Sequence, residues 1–389
     1  MVQANRFRPI QEISIAMKTT FAHLFQLSAC TALALVTISS AFAQNNGELK
    51  LNNEAPKGKF VTLPPRLYSD AVMPAASSPA LQTWNGSFTY SGTKYTYNMV
   101  GTAPSTNTSA TVPVYIVPIE LIVKSGGKTY TYDPAHVLSN GNSVTTNTVN
   151  SPLFKFSTNY TLGGTNIGTT QYIDAYQRAN FWGTVSSHTN SHVLLGGPTV
   201  LAEQTLTVPT SYGKVGSPFG YQVGLVDINW LDAQWANIMA RLGIQPNSFP
   251  IFLTYDVYLT QGGGCCIGGY HSAEGNASNP QSYTQASYID HSGTFAQDVS
   301  ALSHEIGEWV DDPLVTNPNG NQTPCGILEN GDPLENNPNY GDYPYTLGGF
   351  TYHLQDLVFL PYFGAPTSTS VHGWLSFHNA ALGVCSNGS

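Results

Sequence analysis

Phe295-Ala296-Gln297-Asp298-Val299-Ser300-Ala301-Leu302-Ser303-His304-Glu305-Ile306-Gly307-Glu308-Trp309-Val310 is the stretch on which the reading of this chain turns. Leu302, Ile306 and Trp309 recur at helical spacing. Asp298 and Ser300 near the start suit a helix N-terminus, where carboxylates and hydroxyls accept from unpaired backbone N–H groups. Asp311-Asp312-Pro313 ends the helix, because the residue before a proline is pushed out of the helical region. Side chains four apart on a helix lie one above the other. His304 and Glu308 therefore point the same way, and Glu305 sits beside His304. Gly307 costs about 1 kcal/mol relative to alanine in a helix interior, which implies another backbone passing close to that turn.

Around this helix the chain is sparing of charge. Of 389 residues only 10% are charged, against about 25% in an average soluble domain. Fourteen Lys and Arg against 23 Asp and Glu give a net charge of −9. So few cations neutralise phosphates poorly, and nucleic acid is excluded as a partner. With 37 Gly, 25 Pro and 12% aromatics, the chain is too aromatic for disorder and too interrupted for a helical bundle. It fits a β-rich, loop-rich globular protein. Its carboxylates are unevenly spread: Glu305, Glu308, Asp311, Asp312 and Glu329 crowd into one short stretch.

From Met17, a candidate true start, the chain reads Met-Lys-Thr-Thr, an apolar run over 29–38, and Ala41-Phe42-Ala43 before Gln44. A charged region, an apolar core and an A-x-A site describe a secretory signal peptide over 1–43. The apolar run falls short of the ~20 residues a spanning helix needs, so no membrane span is expected. The expected location is secreted, extracellular or periplasmic. Cys30 leaves with the signal, and Cys265, Cys266, Cys325 and Cys385 remain as an even set suited to disulfides. Neighbouring cysteines are expected not to close on each other, so Cys265 and Cys266 are expected to reach outward to Cys325 and Cys385.

Residues 44–83 read as an extended lead-in and 84–165 as a β-rich region. Alternating runs about Gly92, and again about Gly126-Gly127, are hairpins, so the first third is expected to be mostly antiparallel. Gly126-Gly127-Lys128-Thr129 mimics the end of a phosphate-binding loop, but no helix follows it. The region 166–389 mixes elements: helices over 172–182 and 230–242, the second stopped by Gly243, strands over 205–208 and 249–259, and a tight loop over 262–269. The expected class is α+β, a β-rich N-terminal half packed on a C-terminal half built around the helix 295–310.

The spacing His304-x-x-x-Glu308 is that of the H-E-x-x-H zinc helix with glutamate in place of the second histidine. His304 and Glu308 are thus candidate metal ligands, and Glu305 the general base. A catalytic zinc site needs three protein ligands and an open position. Glu329 is the favoured third ligand, with Asp312 and Asp332 as alternatives or as groups that orient the ligands. For stabilising an oxyanion, His353 is the first candidate, ahead of Tyr352 and His271.

His304-Glu305-Ile306-Gly307-Glu308, Asp312-Pro313 and Glu329-Asn330-Gly331-Asp332 resemble a zincin-like group of secreted metallopeptidases with an H-E-x-x-E helix. Plant phosphate-induced (Exordium-like) extracellular proteins are similar over roughly the same part of the chain. The resemblance implies a zincin-like catalytic region within 166–389, a metal at His304, Glu308 and Glu329, and Glu305 as base. It names no substrate. Zinc is the expected cation, although an anionic Glu308 ligand weakens its Lewis acidity and suits another divalent ion as well. The expected function is a zinc metalloendopeptidase acting on protein or peptide. Two readings stand beside it. One is a non-catalytic extracellular or cell-wall binding protein with a structural or vestigial metal site. The other is a glycoside hydrolase using Glu305 and Glu308, disfavoured because that chemistry needs its carboxyls flanking the bond.

Overall fold

The computed structural model describes residues 47–70, 78–90, 92–317, 342–359 and 374–378. The expected signal peptide, Cys325, Glu329, Asp332 and Cys385 lie outside the described residues. Strands take 43% and helices 17% of the structure, so the fold is α+β with strands predominating, as the composition implies. No helix among the described residues is long and apolar enough to cross a membrane.

Eight strands form the principal sheet. Six run in the order Arg66–Tyr68, Gly269–Asn276, Asn279–Tyr288, Phe249–Tyr255, Val114–Ser125 and Thr199–Val200; Gln204–Val208 and Lys128–Tyr132 also pair with Val114–Ser125. The long strand Val114–Ser125 is nearly continuous in β-branched and apolar residues, the pattern of a strand covered on both faces. It runs parallel to Phe249–Tyr255, with Ile116 opposite Ile251, and parallel to Gln204–Val208, with Leu121 opposite Leu206. Only against Lys128–Tyr132 is it antiparallel by a hairpin. Both expected hairpins form, the other pairing Thr83–Tyr90 with Thr93–Val100. The expectation of a mostly antiparallel first third is nevertheless corrected. Parallel partners are joined by long crossovers, which leave no local pattern in the sequence.

Two cores lie on the two faces of this sheet. Phe249, Ile251 and Leu253 join one with the helices Tyr172–Asn180 and Ser300–Asp311; Phe252, Tyr270 and Tyr283 join the other with Ile228–Asp232 and Trp235–Leu242. A stacked aromatic pair anchors each face: Phe249 on Trp309 with centroids 3.9 Å apart, and Phe252 on Trp235 at 4.1 Å. The helix expected over 230–242 is two helices. Gln234 Nε2 donates to the Trp230 carbonyl, the acceptor that a continuous helix would give to the Gln234 backbone N–H.

The run 249–259 also divides. Asp256 adopts a left-handed φ of 47°, and Val257–Gln261 passes into a second sheet with Gly213–Gly216, Val223–Asp227 and Gly264–Ile267. The loop expected over 262–269 is corrected accordingly: Gly262-Gly263 makes the turn, and Gly264–Ile267 is a strand antiparallel to Val257–Gln261. On that strand Cys265 and Cys266 are joined to each other across a cis peptide, not outward to Cys325 and Cys385. The expectation overlooked that a cis peptide lets adjacent cysteines close a ring. Within the lead-in, Lys59 bridges to Ile267 and Arg66–Tyr68 pairs parallel with Glu274–Asn276.

The helix that carries the motif spans Ser300–Asp311, and each of its residues is buried. It starts later than position 295, because Ala296 and Asp298 adopt left-handed φ values of 59° and 43°. It ends as expected, with Asp312 at φ −143° before Pro313.

Candidate metal centre

Glu308 lies between two histidines. Its Oε1 is 3.1 Å from His304 Nε2, one turn back on the same helix, and its Oε2 is 3.4 Å from Nδ1 of His271. Glu305 Oε2 reaches the same His271 Nδ1 at 3.3 Å. His271 comes from the strand Gly269–Asn276, whose alternation sends Tyr270 into the far core and His271 toward the helix. Two residues earlier on that strand, a Cβ on Gly269 would meet Glu305 Cγ and Oε1 at 3.1 Å and the Gln285 carbonyl at 3.0 Å. Glycine there makes the space that the Glu305 carboxylate occupies. All four donors are buried, with His304 the most exposed at 2%.

The histidine tautomers follow from their outer partners. His271 Nε2 lies 3.1 Å from the Asp312 carbonyl, which can only accept. In the neutral ring Nδ1 then carries a lone pair, aimed at two carboxylates. His304 is arranged alike: Nδ1 meets the side-chain oxygen of Gln355, and Nε2 faces Glu308. Its ring is stacked on Phe60, with centroids 3.8 Å apart. Lone pairs facing carboxylate oxygens repel, and a positive species between them removes the repulsion, either a proton or a metal cation. One acceptor shows the same need. Glu305 Oε1 is buried without a hydrogen-bond partner among the described residues, at a cost of about 1–3 kcal/mol if nothing fills the gap.

Burial raises Glu305 to about 7 against the opposing pull of His271 and His304. It pushes Glu308 upward too, but the charges and hydrogen bonds of His304 and His271 outweigh it and hold Glu308 at about 2. Burial pulls His271 down, yet its hydrogen bonds to Glu305 and Glu308 keep it well above the ordinary histidine value. Donor atoms of His271, Glu305 and Glu308 lie within 4.8 Å of one another. Imidazole nitrogen and carboxylate oxygen in this number suit zinc or another first-row divalent ion. The residues present fit a cation.

Of the motif residues, Glu305 and Glu308 lie in this cluster and His304 reaches it through Glu308, while Glu329 and Asp332 lie outside the described residues. Asp312 reaches the site through its backbone carbonyl on His271, its carboxylate accepting instead from the N–H groups of Thr316 and Asn317. Asp311 turns away toward Asn180. Tyr352 packs in the core with its hydroxyl 3.3 Å from Asn147. His353 stands near the start of the helix, where Nδ1 is 2.6 Å from Asp298 Oδ2 and its N–H donates to Asp298 Oδ1. That hydrogen bond raises His353 above its ordinary value. Among the described residues the atoms nearest to an added Gly307 Cβ are side chain, not backbone: the Tyr176 ring at 3.6 Å and Tyr172 Oη at 3.8 Å, ordinary contacts, so the expected close backbone approach is corrected. Gln355 and the ligand-like placement of His271 were missed. The available signal was a histidine at an inward position of an alternating strand, flanked by Tyr270 and Ser272.

The chain matches no protein-family model, no curated protein and no solved structure. The functional reading therefore rests on this geometry and the motif.

Proposed function

We propose that this chain is a secreted metal-dependent hydrolase, of which a zincin-like zinc metalloendopeptidase is the specific form. The observation that carries the reading is Glu308 bridging His304 and His271 while each ring gives its other nitrogen to a neutral oxygen. His304, Glu308 and His271 would hold the cation, with Glu305 at their side. When bound, such a cation supplies Lewis-acid polarisation of a scissile carbonyl. Among the described residues Glu305 is the carboxylate left for proton transfer, taking a proton from the attacking water and delivering it to the leaving amine. His353, oriented by Asp298, would be the donor to the developing oxyanion.

A second reading has its own support. The four donors are shut away from solvent, as befits a structural cation that ties the helix to the sheet. Metal analysis of purified wild type and His304→Ala, with peptide hydrolysis measured before and after a chelator, separates the two. Bound metal with chelator-sensitive turnover supports the hydrolase. Bound metal without turnover supports the structural site. Glu305→Gln should keep the metal and abolish turnover; undiminished hydrolysis would remove Glu305 as base.

A further inference from the structure

We propose that Gln355 is a positioning residue of this centre: it fixes the ring tautomer of His304 and, being neutral, keeps the layer behind the ligands from adding negative charge. The inference rests on the cation reading above for its metal-binding arm only.

Gln355 is 3% exposed at the end of the strand Phe350–Gln355. Its N–H donates to Ser303 Oγ at 2.8 Å, and Ser303 in turn donates to the Ser300 carbonyl at 2.7 Å. Tyr172 Oη donates to the Gln355 carbonyl at 2.7 Å. Backbone and helix are thereby locked together, and the Gln355 side chain is delivered to His304 Nδ1. With Oε1 accepting there, the proton of a neutral His304 resides on Nδ1 and the lone pair on Nε2, toward Glu308.

The choice of a neutral partner fits the charge of the site. A histidine ligand donates its second nitrogen to a carboxylate, a carbonyl or water, and a carboxylate there raises ligand basicity. Here one carboxylate, Glu308, would be a ligand and a second, Glu305, stands beside it. Both histidines lean on neutral oxygens, His271 on the Asp312 carbonyl and His304 on the Gln355 amide. A third anion behind His304 would offset more of the cation's charge and weaken its pull on a substrate carbonyl. Of the two neutral partners, only Gln355 acts through a side chain, so only it can be tested by substitution.

The test uses the full chain. Long-range proton–nitrogen spectra of the metal-free, 15N-labelled protein, taken at a pH high enough to leave His304 neutral, should show His304 as the Nδ1–H tautomer, and Gln355→Ala should lose that preference. Zinc affinity, read by competition with a chromophoric chelator, should fall about 10–100-fold in Gln355→Ala. Gln355→Glu keeps an acceptor and should retain the tautomer and bind zinc at least as tightly as wild type. An Nε2–H tautomer in the wild type overturns the proposal, as does zinc affinity in Gln355→Ala within about twofold of wild type, well short of the usual outer-layer effect. Equal losses in Gln355→Ala and Gln355→Glu also overturn it, since they mark a purely structural role. If Gln355→Ala does not fold, the wild-type tautomer and the Gln355→Glu affinity decide. A wild type that takes no zinc ends the cation reading, and the tautomer then decides the role of Gln355 alone.

Discussion

The principal sheet carries a buried cluster of charge on each face, and the two are finished differently. On the far face, Asp232 and Glu274 share the Arg66 guanidinium, while Tyr270 and Tyr283 donate hydroxyls to Asp232 Oδ1 at 3.0 and 2.7 Å. On the near face, Glu305 and Glu308 meet histidine nitrogens whose outer sides are already tied to neutral oxygens. Glu305 Oε1 lacks a hydrogen-bond partner among the described residues, whereas Asp232 Oδ1 accepts from two tyrosines and Asp232 Oδ2 and Glu274 Oε2 meet the guanidinium. Burial is common to both clusters, so burial does not distinguish structure from function. The distinguishing feature is the kind of counter-charge: a permanent guanidinium on the far face, titratable imidazoles on the near one.

This contrast can be broken by removing one group from each face. Arg66→Ala should destabilise the protein most, by about 3 kcal/mol, because it strands two buried carboxylates. Urea unfolding reads this, and a loss under about 1 kcal/mol would mean that the far cluster is solvated rather than locked. Zinc should do on the near face what Arg66 does on the far one. At a hundredfold excess over its dissociation constant it should stabilise the metal-free protein by about 2.7 kcal/mol. In the metal-free protein, Glu305→Gln should cost less than about 1 kcal/mol or even stabilise, since it removes a buried charge that no guanidinium neutralises.

A further buried carboxylate sharpens the comparison. Asp174 has a partner able to carry a proton, His192, with Nδ1 2.8 Å from Oδ2. The hydrogen bond to Asp174 raises His192, against smaller opposition from burial and Arg178. A raised folded-state value means that the contribution is complete below the unfolded value of about 6.5 and is lost as pH rises through the folded one. His192→Asn should therefore lower thermal stability more at acid than at alkaline pH. The part-exposed pair is worth about 1 kcal/mol at most, and an equal effect at both ends would deny the ion pair. Smallest of all, Gly307→Ala should stabilise by about 0.5 kcal/mol, since alanine favours the helix and its Cβ meets only ordinary contacts. A loss above about 1 kcal/mol on thermal unfolding would restore the close approach that the sequence suggested.

What was legible in the sequence was local. Helical spacing placed His304 over Glu308, and Asp312-Pro313 marked the helix end, because both depend on neighbours a few residues away. The hairpins about Gly92 and Gly126-Gly127 were readable for the same reason. His271 was not, although it was visible as a candidate oxyanion donor. Only the pairing of Gly269–Asn276 with Asn279–Tyr288, and the packing of the helix on them, brings it to Glu308. The parallel partners of Val114–Ser125 were hidden likewise, and so was Gln355, which meets His304 across 51 residues.

The most direct test is metal content per chain in the wild type and in His271→Ala, purified identically. If the buried imidazoles and carboxylates form a cation site, the wild type retains about one divalent ion and His271→Ala loses most of it, since a catalytic zinc needs three protein ligands. A wild type without stoichiometric metal after zinc loading, or a His271→Ala variant that holds metal as the wild type does, would contradict it.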